Sequence, residues 1–446
     1  MKKRILCCLL SAFLSQGFAD TVNLASAAYS VVSNGVFSAV AGDVLVFPSG
    51  SSATWTNSLV VGKAVTIDGN GSTITAGAAL ANGLFYVTGF SSDTLTRITG
   101  FTFNLVTLNG EAIMVMNGGV SLSKLRIDHN IFHHGNIPVE IGGALGVVDH
   151  NSFYNGMSGI YFSAGSRAQA DASWASMAAG TANAVFVEDN LFEINTNFLS
   201  TGHNTFIDTY NGGKLVVRKN TFIGTNPPTG FTIFSPGLTH GNANGYWEGD
   251  GSARRGQSVV EIYNNYADAK RLDYFFALRG SANLVYSNYA RSATFSPGMY
   301  CYEEEAYLFS PSRTNWPASD QVHNTFLWDN TMLLNSTTNA NYFSVAATST
   351  NFIQLNRDYF LHAPQATGGS EYFTGTNGAA GTFPTDGTTY PTRGTMAFTA
   401  TGTNAYYGYQ PYTYPHPLTL AIGTQTNAIR AVMGGAVSMK RVTIRN

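Results

Sequence analysis

A short phrase recurs along the middle of the chain and limits the folds that the chain can adopt. In its clearest copies an apolar and a polar residue stand three and two positions before an Asn, and a Phe follows two positions after it. These copies centre on Asn130, Asn151, Asn190 and Asn220, and weaker ones on Asn265, Asn288 and Asn330. The intervals between successive Asn residues are 21, 39, 30, 45, 23 and 42 residues. Two of them match one turn of a β-solenoid, and the others match a turn that carries an insertion.

The residues before the Asn alternate in polarity, as they do in a strand with one buried face. The position three before the Asn is always apolar and is occupied by Ile127, Val148, Val187, Val217, Ile262, Val285 and Leu327. The next position is polar or amphipathic in every copy. We therefore predict one buried apolar column and one column of Asn. The Asn is expected at the bend between two strands, where it can adopt a left-handed backbone and bond to neighbouring turns.

This pattern resembles the right-handed parallel β-helix of the pectate-lyase-like superfamily, in which three short parallel sheets wind into a solenoid and an Asn ladder marks one bend. The resemblance covers roughly residues 30–335, and the segments 42–56 and 65–69 look like entry strands of bacterial members. It implies an all-β fold with a signal peptide over 1–19, an N-terminal cap and entry strands over 20–60, a β-helix over 61–335, and C-terminal coils, cap and tail over 336–446. A β-sandwich or propeller is the alternative, but neither explains a repeat as short as 21 residues.

The N-terminus has the pattern of a secretory signal. Lys2, Lys3 and Arg4 precede a largely apolar run from Ile5 to Leu14, and Ala19 ends a short segment of the kind that a signal peptidase cuts. We expect cleavage after Ala19 and a secreted or periplasmic protein. No later stretch reaches about 18 uninterrupted apolar residues, so no further membrane anchor is expected.

Cysteine and charge content narrow the function classes. Cys7 and Cys8 would leave with the signal, and Cys301 alone cannot form an internal disulfide. Charged residues make up 11% of the chain, and the net charge is -2, or -5 once residues 1–19 are removed. No basic surface for nucleic acid is therefore expected. Hydrophobic residues make up 44%, enough for a sizeable core.

The insertions between the repeats are expected to project as loops beside a groove. They fall near 164–182, 195–205, 224–255 and 291–322, and several carry aromatic residues, among them Tyr246 and Trp247. Aromatic faces stack on sugar rings, so these loops suit a polysaccharide partner, although such residues also pin long loops to a core. The oligomeric state cannot be read from the sequence.

Candidate groove residues lie on the strand that precedes each repeated phrase. They are Asn117, Glu140, Tyr161, Asp208, Tyr210, Arg255 and Arg279, with Lys214, His240 and Arg254 close in sequence. Successive coils of a solenoid are about 4.8 Å apart, so these groups could converge within a few coils. Arg255 and Arg279 each precede a Gly and could grip a carboxylate or sulfate in bidentate fashion, or could be structurally paired.

The superfamily includes lyases that cleave acidic, uronate-containing glycans by β-elimination, and the resemblance carries their roles onto these residues. It implies Glu140 and Asp208 as ligands of a calcium ion, with no organic cofactor. Arg255 and Arg279 would hold the sugar, and His240, Tyr210, Lys214 or one Arg would act in proton transfer. Arg254, Tyr246, Trp247, Asn117 and Tyr161 would contact the substrate.

Two other functions remain open. A glycoside hydrolase on the same fold needs two carboxylates about 5 to 9.5 Å apart, and Asp208 with Glu140, Glu261 or Asp250 could supply them. A non-catalytic glycan-binding or surface adhesin protein would instead scatter these groups. Convergence of Asp208, His240, Arg255 and Arg279 around one cleft discriminates the enzyme from the binding protein.

Other polar positions are expected to be structural. Asp128, Asp149 and Glu188 point outward on a different face from the groove and are expected on a solvated surface or at an incidental cation site. His129 and His150 are expected to form a ladder at the bend, with a zinc site as the alternative. The closing phrase from Tyr409 to Leu418 looks like one found at the end of secreted bacterial β-helix proteins, and it could cap the last coil or pack along the side of the solenoid.

Overall fold

The protein is described here by a computed structural model that defines the solenoid and the segment following it. The described residues are 19–105, 110–116, 122–135, 137–155, 160–163, 179–194, 203–210, 214–225, 233–240, 259–280, 282–293, 298–302, 322–339, 341–350, 353–366 and 406–420. No helix among these residues is long and apolar enough to cross a membrane.

Short strands make up most of the described chain. The first third holds β1 (Thr21–Asn23), β2 (Val44–Val46), β3 (Ser52–Trp55), β4 (Leu59–Val61), β5 (Thr66–Asp68), β6 (Thr73–Ala76), β7 (Phe85–Val87), β8 (Thr96–Thr99), β9 (Thr102–Leu105), β10 (Ile113–Met116), β11 (Leu122–Asp128), β12 (Ile131–His134), β13 (Val139–Gly142) and β14 (Ala144–Asp149). The middle holds β15 (Ser152–Tyr154), β16 (Ile160–Ser163), β17 (Val185–Glu188), β18 (Leu191–Ile194), β19 (His203–Tyr210), β20 (Lys214–Arg218), β21 (Thr221–Gly224), β22 (Ile233–Thr239), β23 (Val259–Tyr263), β24 (Tyr266–Ala269), β25 (Phe276–Leu278), β26 (Ala282–Tyr286), β27 (Tyr289–Ser292) and β28 (Met299–Cys301). The last part holds β29 (His323–Trp328), β30 (Thr331–Leu334), β31 (Thr337–Thr338), β32 (Phe343–Val345) and β33 (Tyr359–Phe360).

These strands form three long sheets. Sheet A has the order β1-β2-β5-β8-β11-β14-β17-β20-β23-β26-β29-β33, sheet B has the order β3-β6-β9-β12-β15-β18-β21-β24-β27-β30-β31, and sheet C has the order β32-β28-β25-β22-β19-β16-β13-β10-β7-β4. Neighbouring strands are parallel, except that β31 pairs antiparallel with β30 at the end of sheet B. Along the chain, one strand of each sheet follows another, as in β11, β12 and β13. The fold is therefore nearly all β and consistent with a parallel β-helix.

The predicted Asn ladder is confirmed at one bend of the solenoid. Each ladder Asn donates its Nδ2–H to Oδ1 of the Asn in the next coil, at distances between 2.9 and 3.1 Å. The ladder runs through Asn130, Asn151, Asn190, Asn220, Asn265, Asn288 and Asn330. The same Oδ1 also accepts a backbone N–H from the preceding Asn, so each rung ties two coils together twice.

The left-handed position lies one residue before each ladder Asn, whereas we expected the Asn itself to occupy it. The residues there have φ between 53° and 56°, and they are His129, His150, Asp189, Lys219, Asn264, Ser287 and Asp329. This arrangement leaves the Asn side chain directed along the ladder. His129 and His150 form the expected bend ladder, because their rings are parallel and their centroids lie 5.1 Å apart.

The predicted apolar column is also confirmed. Ile127 pairs with Val148, Val148 with Val187, Val187 with Val217, and Val217 with Ile262. The Phe that follows each clear copy forms a second column in the core. Phe132, Phe153, Phe192 and Phe222 stack with centroids 4.7 to 5.0 Å apart. Stacking of like side chains in register is what gives each coil its buried layer.

A single helix of ten residues lies at the N-terminal end of the described chain. This helix, α1 (Tyr29–Ser38), buries Val32 and Val36 in the solenoid core. The indole of Trp55 donates to the carbonyl of Ala27 at 2.9 Å, just before the helix begins. The helix is thereby fixed to the first coils.

The outer face of sheet A is buried, which corrects the expectation of a solvated acidic surface. Asp128, Asp149 and Glu188 are each 0% exposed. Arg97 pairs with Asp128, Arg126 makes a bidentate pair with Asp149 at 2.9 and 2.8 Å, and Arg218 pairs with Glu188. Period-two alternation placed these side chains outward correctly, but a segment far along the chain covers the face.

That covering segment comprises residues 406–420, here termed the C-terminal strap, and ends in a short helix, α2 (Pro417–Leu420). It packs along the side of the solenoid, which was one of the two arrangements expected for the closing phrase. His416 donates its backbone N–H to Glu188, and Arg218 donates to the carbonyls of Tyr412 and Thr413. The strap thus lies on the ion pairs of sheet A and shields them from water.

Candidate functional site

Three of the candidate residues meet on the outer side of sheet C. Asp208 lies on β19, His240 directly follows β22, and Arg279 directly follows β25. These strands are neighbours in the sheet, so the three side chains come from three successive coils. Thr239 pairs with Leu278, which makes His240 and Arg279 the next residues along that pair of strands. Asp208 and His240 are therefore close together, Arg279 lies on the next coil, and Arg255, the fourth residue of the predicted convergence, lies outside the described residues.

His240 and Asp208 face each other at close range. Nε2 of His240 lies 3.2 Å from Oδ1 of Asp208, and both side chains are mostly buried. Among the described residues, this Oδ1 has no partner with hydrogen-bond geometry, although the distance is short enough for a charge interaction. A small rotation of either group would convert the contact into a hydrogen bond. The pair has the composition of a general base and its orienting carboxylate.

Arg279 is buried and contacts two tyrosines. Its exposed fraction is 2%. The guanidinium carbon lies 4.8 Å from the ring centroid of Tyr302, a cation–π contact. Tyr274 also receives a hydrogen bond from the Arg279 side chain. The backbone N–H of Arg279 donates to Oγ1 of Thr239 at 3.2 Å, which fixes the arginine against the coil that carries His240.

Tyr274 bonds to Arg279, and the charge of Asp208 acts on its hydroxyl. Burial, together with a smaller effect of the charge of Asp208, raises the pKa of its hydroxyl to about 12, against the opposing effects of Arg279 and a hydrogen bond with Ser235. The hydroxyl therefore keeps its proton at neutral pH and can act as a donor. Its ring also stacks near that of Tyr300, with the centroids 6.1 Å apart.

Two acidic residues lie farther along sheet C. Glu140 occupies the same register position as Tyr161 and Asp208 on successive strands, so two strand spacings separate it from Asp208, about 10 Å between Cα atoms. Glu111 precedes β10, and burial followed by the charge of Glu140 raises its pKa to about 8. Oε2 of Glu111 is buried without a hydrogen-bond partner among the described residues. Glu140 and Asp208 are thus not adjacent.

Lys214 lies outside this cluster. It begins β20 on sheet A, where it pairs with Val259. Burial lowers the pKa of its ammonium group.

The remaining candidates cannot be placed at the site. Arg254, Arg255, Tyr246, Trp247 and Asn117 lie outside the described residues. Tyr161 and Tyr210 lie on β16 and β19, but their side chains are outside the described part of the chain.

Within the described ranges, no group of three or more His, Cys, Asp and Glu side chains could hold a metal ion. The His129 and His150 rings instead bond through Nδ1 to the buried Asp128 and Asp149, at 2.7 and 2.8 Å. These histidines therefore belong to the structural bend ladder.

Sequence reasoning missed Tyr274, which does not lie on a strand, and it placed Tyr302 among the aromatic residues of the 291–322 insertion without predicting its contact with Arg279. The contact of Tyr302 with Arg279 follows from the strand register. Leu278 pairs with Cys301, so Arg279 and Tyr302, the residues that follow them, lie side by side on neighbouring coils. Tyr274 lies before β25, at a place that only the connection between sheets B and C determines. No family model matches the chain, and no curated protein matches it, so the fold and the geometry of these residues are what bear on function.

Proposed function

We propose that this chain is a secreted, polysaccharide-active protein whose solenoid is a right-handed β-helix of the pectate-lyase-like type. The groove on sheet C would bind an acidic glycan and cleave it by β-elimination. The observation that supports this proposal is the contact of Asp208 with His240 on neighbouring coils, with Arg279 following the paired strand of the next coil. A basic nitrogen beside a carboxylate, with a cation in the next coil, is the set of groups that proton removal beside a uronate carboxylate requires.

The proposed reaction assigns one role to each group. His240 takes the proton from the carbon that bears the carboxylate, and Asp208 orients the ring and stabilises its positive charge. Arg279 offsets the negative charge that grows on the sugar carboxylate as the proton leaves. The electron pair of the broken C–H bond forms the new double bond, and the bond to the glycosidic oxygen breaks.

Tyr274 is placed to complete the proton balance. Its pKa of about 12 means that the hydroxyl is protonated at neutral pH. It can therefore donate its proton to the departing glycosidic oxygen, and the proton held by His240 then returns to solvent or to the tyrosinate. The contact with Arg279 stabilises the tyrosinate that forms transiently.

Calcium dependence of the activity is a prediction that an assay can test. Asp208 and Glu140 are two strands apart, about 10 Å between Cα atoms, and they belong to no group of three or more possible metal ligands among the described residues. We therefore derive no step through a metal ion. Activity measured with added calcium and with a chelator tests the resemblance on this point.

The purified protein should release unsaturated, ultraviolet-absorbing products from at least one acidic polysaccharide in a panel of acidic and neutral glycans. His240→Ala should lower the turnover by about 100-fold or more, because general base catalysis contributes typically that much. His133→Ala, which changes a histidine on sheet B, is the matched control and should keep full turnover. Equal activity of the His240 variant and the parent would contradict the assigned base.

Two rival functions give different results in the same assay. A hydrolase would release reducing ends without the unsaturated product, and it could not use Glu261, which is buried on sheet A beneath Tyr409 of the strap. A non-catalytic binding protein is favoured by the cluster of Tyr274, Tyr300 and Tyr302. The ring centroids of Tyr274 and Tyr300 lie 6.1 Å apart, and those of Tyr300 and Tyr302 lie 5.4 Å apart. It would retain a glycan on an affinity gel and release neither product.

A further inference from the structure

The C-terminal strap crosses the solenoid against the direction of coil stacking. Tyr406 packs with Phe326 of β29, Tyr409 bonds to Glu261 of β23, and the strap ends beside β11. There the guanidinium of Arg126 donates to the carbonyls of Leu418 and Thr419 at 3.3 and 3.4 Å. The strap therefore contacts seven consecutive strands of sheet A, from β29 back to β11.

The middle of the strap is bound as a peptide, mainly through its backbone. Arg218 is 0% exposed and donates to the carbonyls of Tyr412 and Thr413 at 2.7 and 2.9 Å. Glu188, on the next strand, accepts the backbone N–H of His416 at 2.8 Å. Arg218 thus binds two backbone carbonyls of the strap and Glu188 binds one backbone N–H. The two side chains also pair with each other.

Side chains of the strap fill positions on both sides of this pair. His416 is 5% exposed, and its ring lies 4.7 Å from that of Phe186. The ring of Tyr412 lies 5.3 Å from that of Phe186. The Gln410 carbonyl passes so close to Gly180 that a Cβ there would lie 2.1 Å from it. The strap is therefore seated in a shaped surface rather than resting on an open face.

The coils under the strap are the ones that carry the groove cluster. The coil of β17 holds Asp208, the coil of β20 holds His240, the coil of β23 holds Arg279, and the coil of β26 holds Tyr302. In a solenoid each coil contacts only its neighbours, so coils can separate or shift locally. A segment bound to all four coils adds a connection that the repeat itself lacks.

We propose that sheet A is a peptide-binding surface for the strap, and that the docked strap is a separable brace that fixes the spacing of the coils carrying the groove cluster. The recognition resides in residues 406–420 and in the arginines and carboxylates beneath them. The strap should therefore stay bound when the backbone that connects it to the solenoid is cut. This inference is independent of the chemistry proposed for the groove, since its readouts are binding and hydrogen exchange.

The test cuts the chain after it has folded. A recognition sequence for a specific protease is inserted after Gly381 in the full chain, and the purified, folded protein is cleaved there. The strap fragment is expected to elute with the body on size-exclusion chromatography after cleavage. Immediate separation of the two fragments from the otherwise unchanged chain would overturn the proposal.

Variants in the strap locate the recognition. His416→Ala and Tyr409→Ala, made in the cleavable chain, should release the fragment after cleavage. Tyr407→Ala is the matched control, because Tyr407 lies in the same segment and is 62% exposed. Its fragment should stay bound. Retention of all three variant fragments alike would show that residues outside the described strap hold the fragment, and would refute the assignment.

Hydrogen exchange tests the brace itself. In the released body, backbone amides of β19, β22 and β25 should exchange about tenfold faster than in the intact chain, which corresponds to about 1.4 kcal/mol less opening free energy. Amides of β5 and β6, which the strap does not reach, should be unchanged. Equal exchange in all these strands before and after release would overturn the bracing role.

Discussion

Each ladder Asn makes hydrogen bonds that an apolar residue cannot replace. Oδ1 of Asn190 accepts both the backbone and the side-chain N–H of Asn151, and its Nδ2 donates to the carbonyls of Val148 and Glu188 as well as to Asn220. All these groups are buried, so none can turn to water instead. The recurrence of Asn in the sequence is thus explained by the need to satisfy the bend in every coil.

Asn190→Ala should lower the free energy of unfolding by about 2 to 4 kcal/mol, because two donors and three acceptors in the interior each lose one partner. Urea unfolding followed by circular dichroism measures the change. Asn57→Ala, at an exposed position, is the control and should change stability by less than about 0.5 kcal/mol. A loss equal to that of the control would mean that the ladder adds nothing to stability.

His416 should make the stability depend on pH. Burial, followed by the charge of Arg218, lowers its pKa from 6.5 to about 4. A base whose pKa is lower in the folded state than in the unfolded state stabilises the fold at pH values above its unfolded pKa. This contribution to stability is lost as the pH falls from 6.5 to about 4. Because water near the strap weakens this effect, we expect the free energy of unfolding to fall by about 1 to 2 kcal/mol.

The change in urea midpoint between pH 7 and pH 4.5, compared between the parent and His416→Gln, measures this loss, because Glu111, whose pKa burial raises to about 8, stabilises both proteins alike as the pH falls. Asp128 does not contribute in this window. Burial alone would raise its pKa, but its bonds to Arg97 and the charge of Arg126 outweigh burial and lower it below 3.8. Its stabilisation is therefore present at both pH values and is lost only in stronger acid. An unchanged pH profile in His416→Gln would contradict the assignment.

At the scale of the strand, the inner face was predictable from sequence and the outer face of sheet A was not. Apolar residues three before the Asn recur in every copy, so Val148 and Val187 could be placed in one column. The alternation also placed Asp149 outward, but alternation cannot show what lies on an outward residue. The cover comes from the strap, more than 200 residues away along the chain in the case of Glu188 and His416.

The same distinction applies to sheet C. Asp208, His240 and Arg279 could be predicted because each stands on or directly after a strand that precedes a repeat. Tyr274 could not, because its position depends on the path of the chain between β24 and β25. The burial of Arg279 could not be predicted either, since it results from contacts with tyrosines of neighbouring coils.

Arg218→Ala should destabilise the protein strongly, by about 3 to 5 kcal/mol, because it leaves the buried carboxylate of Glu188 without its partner. The double variant Arg218→Met with Glu188→Leu should recover part of this loss, since no isolated charge remains. Arg291→Ala is the matched control: Arg291 pairs with Asp268 on the exposed face of sheet B. That variant should lose far less stability, because water screens the exposed pair. Equal losses at the two arginines in urea unfolding would contradict the burial argument.

At the scale of the whole molecule, stability rests on stacked coils, the Asn ladder and the strap. Cys301 is a thiol in the core and is 0% exposed. In the proposed mature chain, which begins after Ala19, it is the one cysteine left of three. Reducing agents should therefore leave the unfolding midpoint unchanged. The thiol also reports on opening of the solenoid, because a reagent reaches it only when the coils around β28 separate.

Thiol titration should accordingly give three different readings. The folded protein should react with a thiol reagent on the timescale of unfolding, because burial raises the pKa of the Cys301 thiol and blocks access to it. The unfolded mature protein should show one reactive thiol, whereas a chain that keeps Cys7 and Cys8 should show three. Cys301→Ser is the control and should leave none in the mature chain. Rapid reaction of the folded protein would contradict the burial of Cys301 in a closed solenoid, and three thiols in the exported protein would contradict removal of the leader.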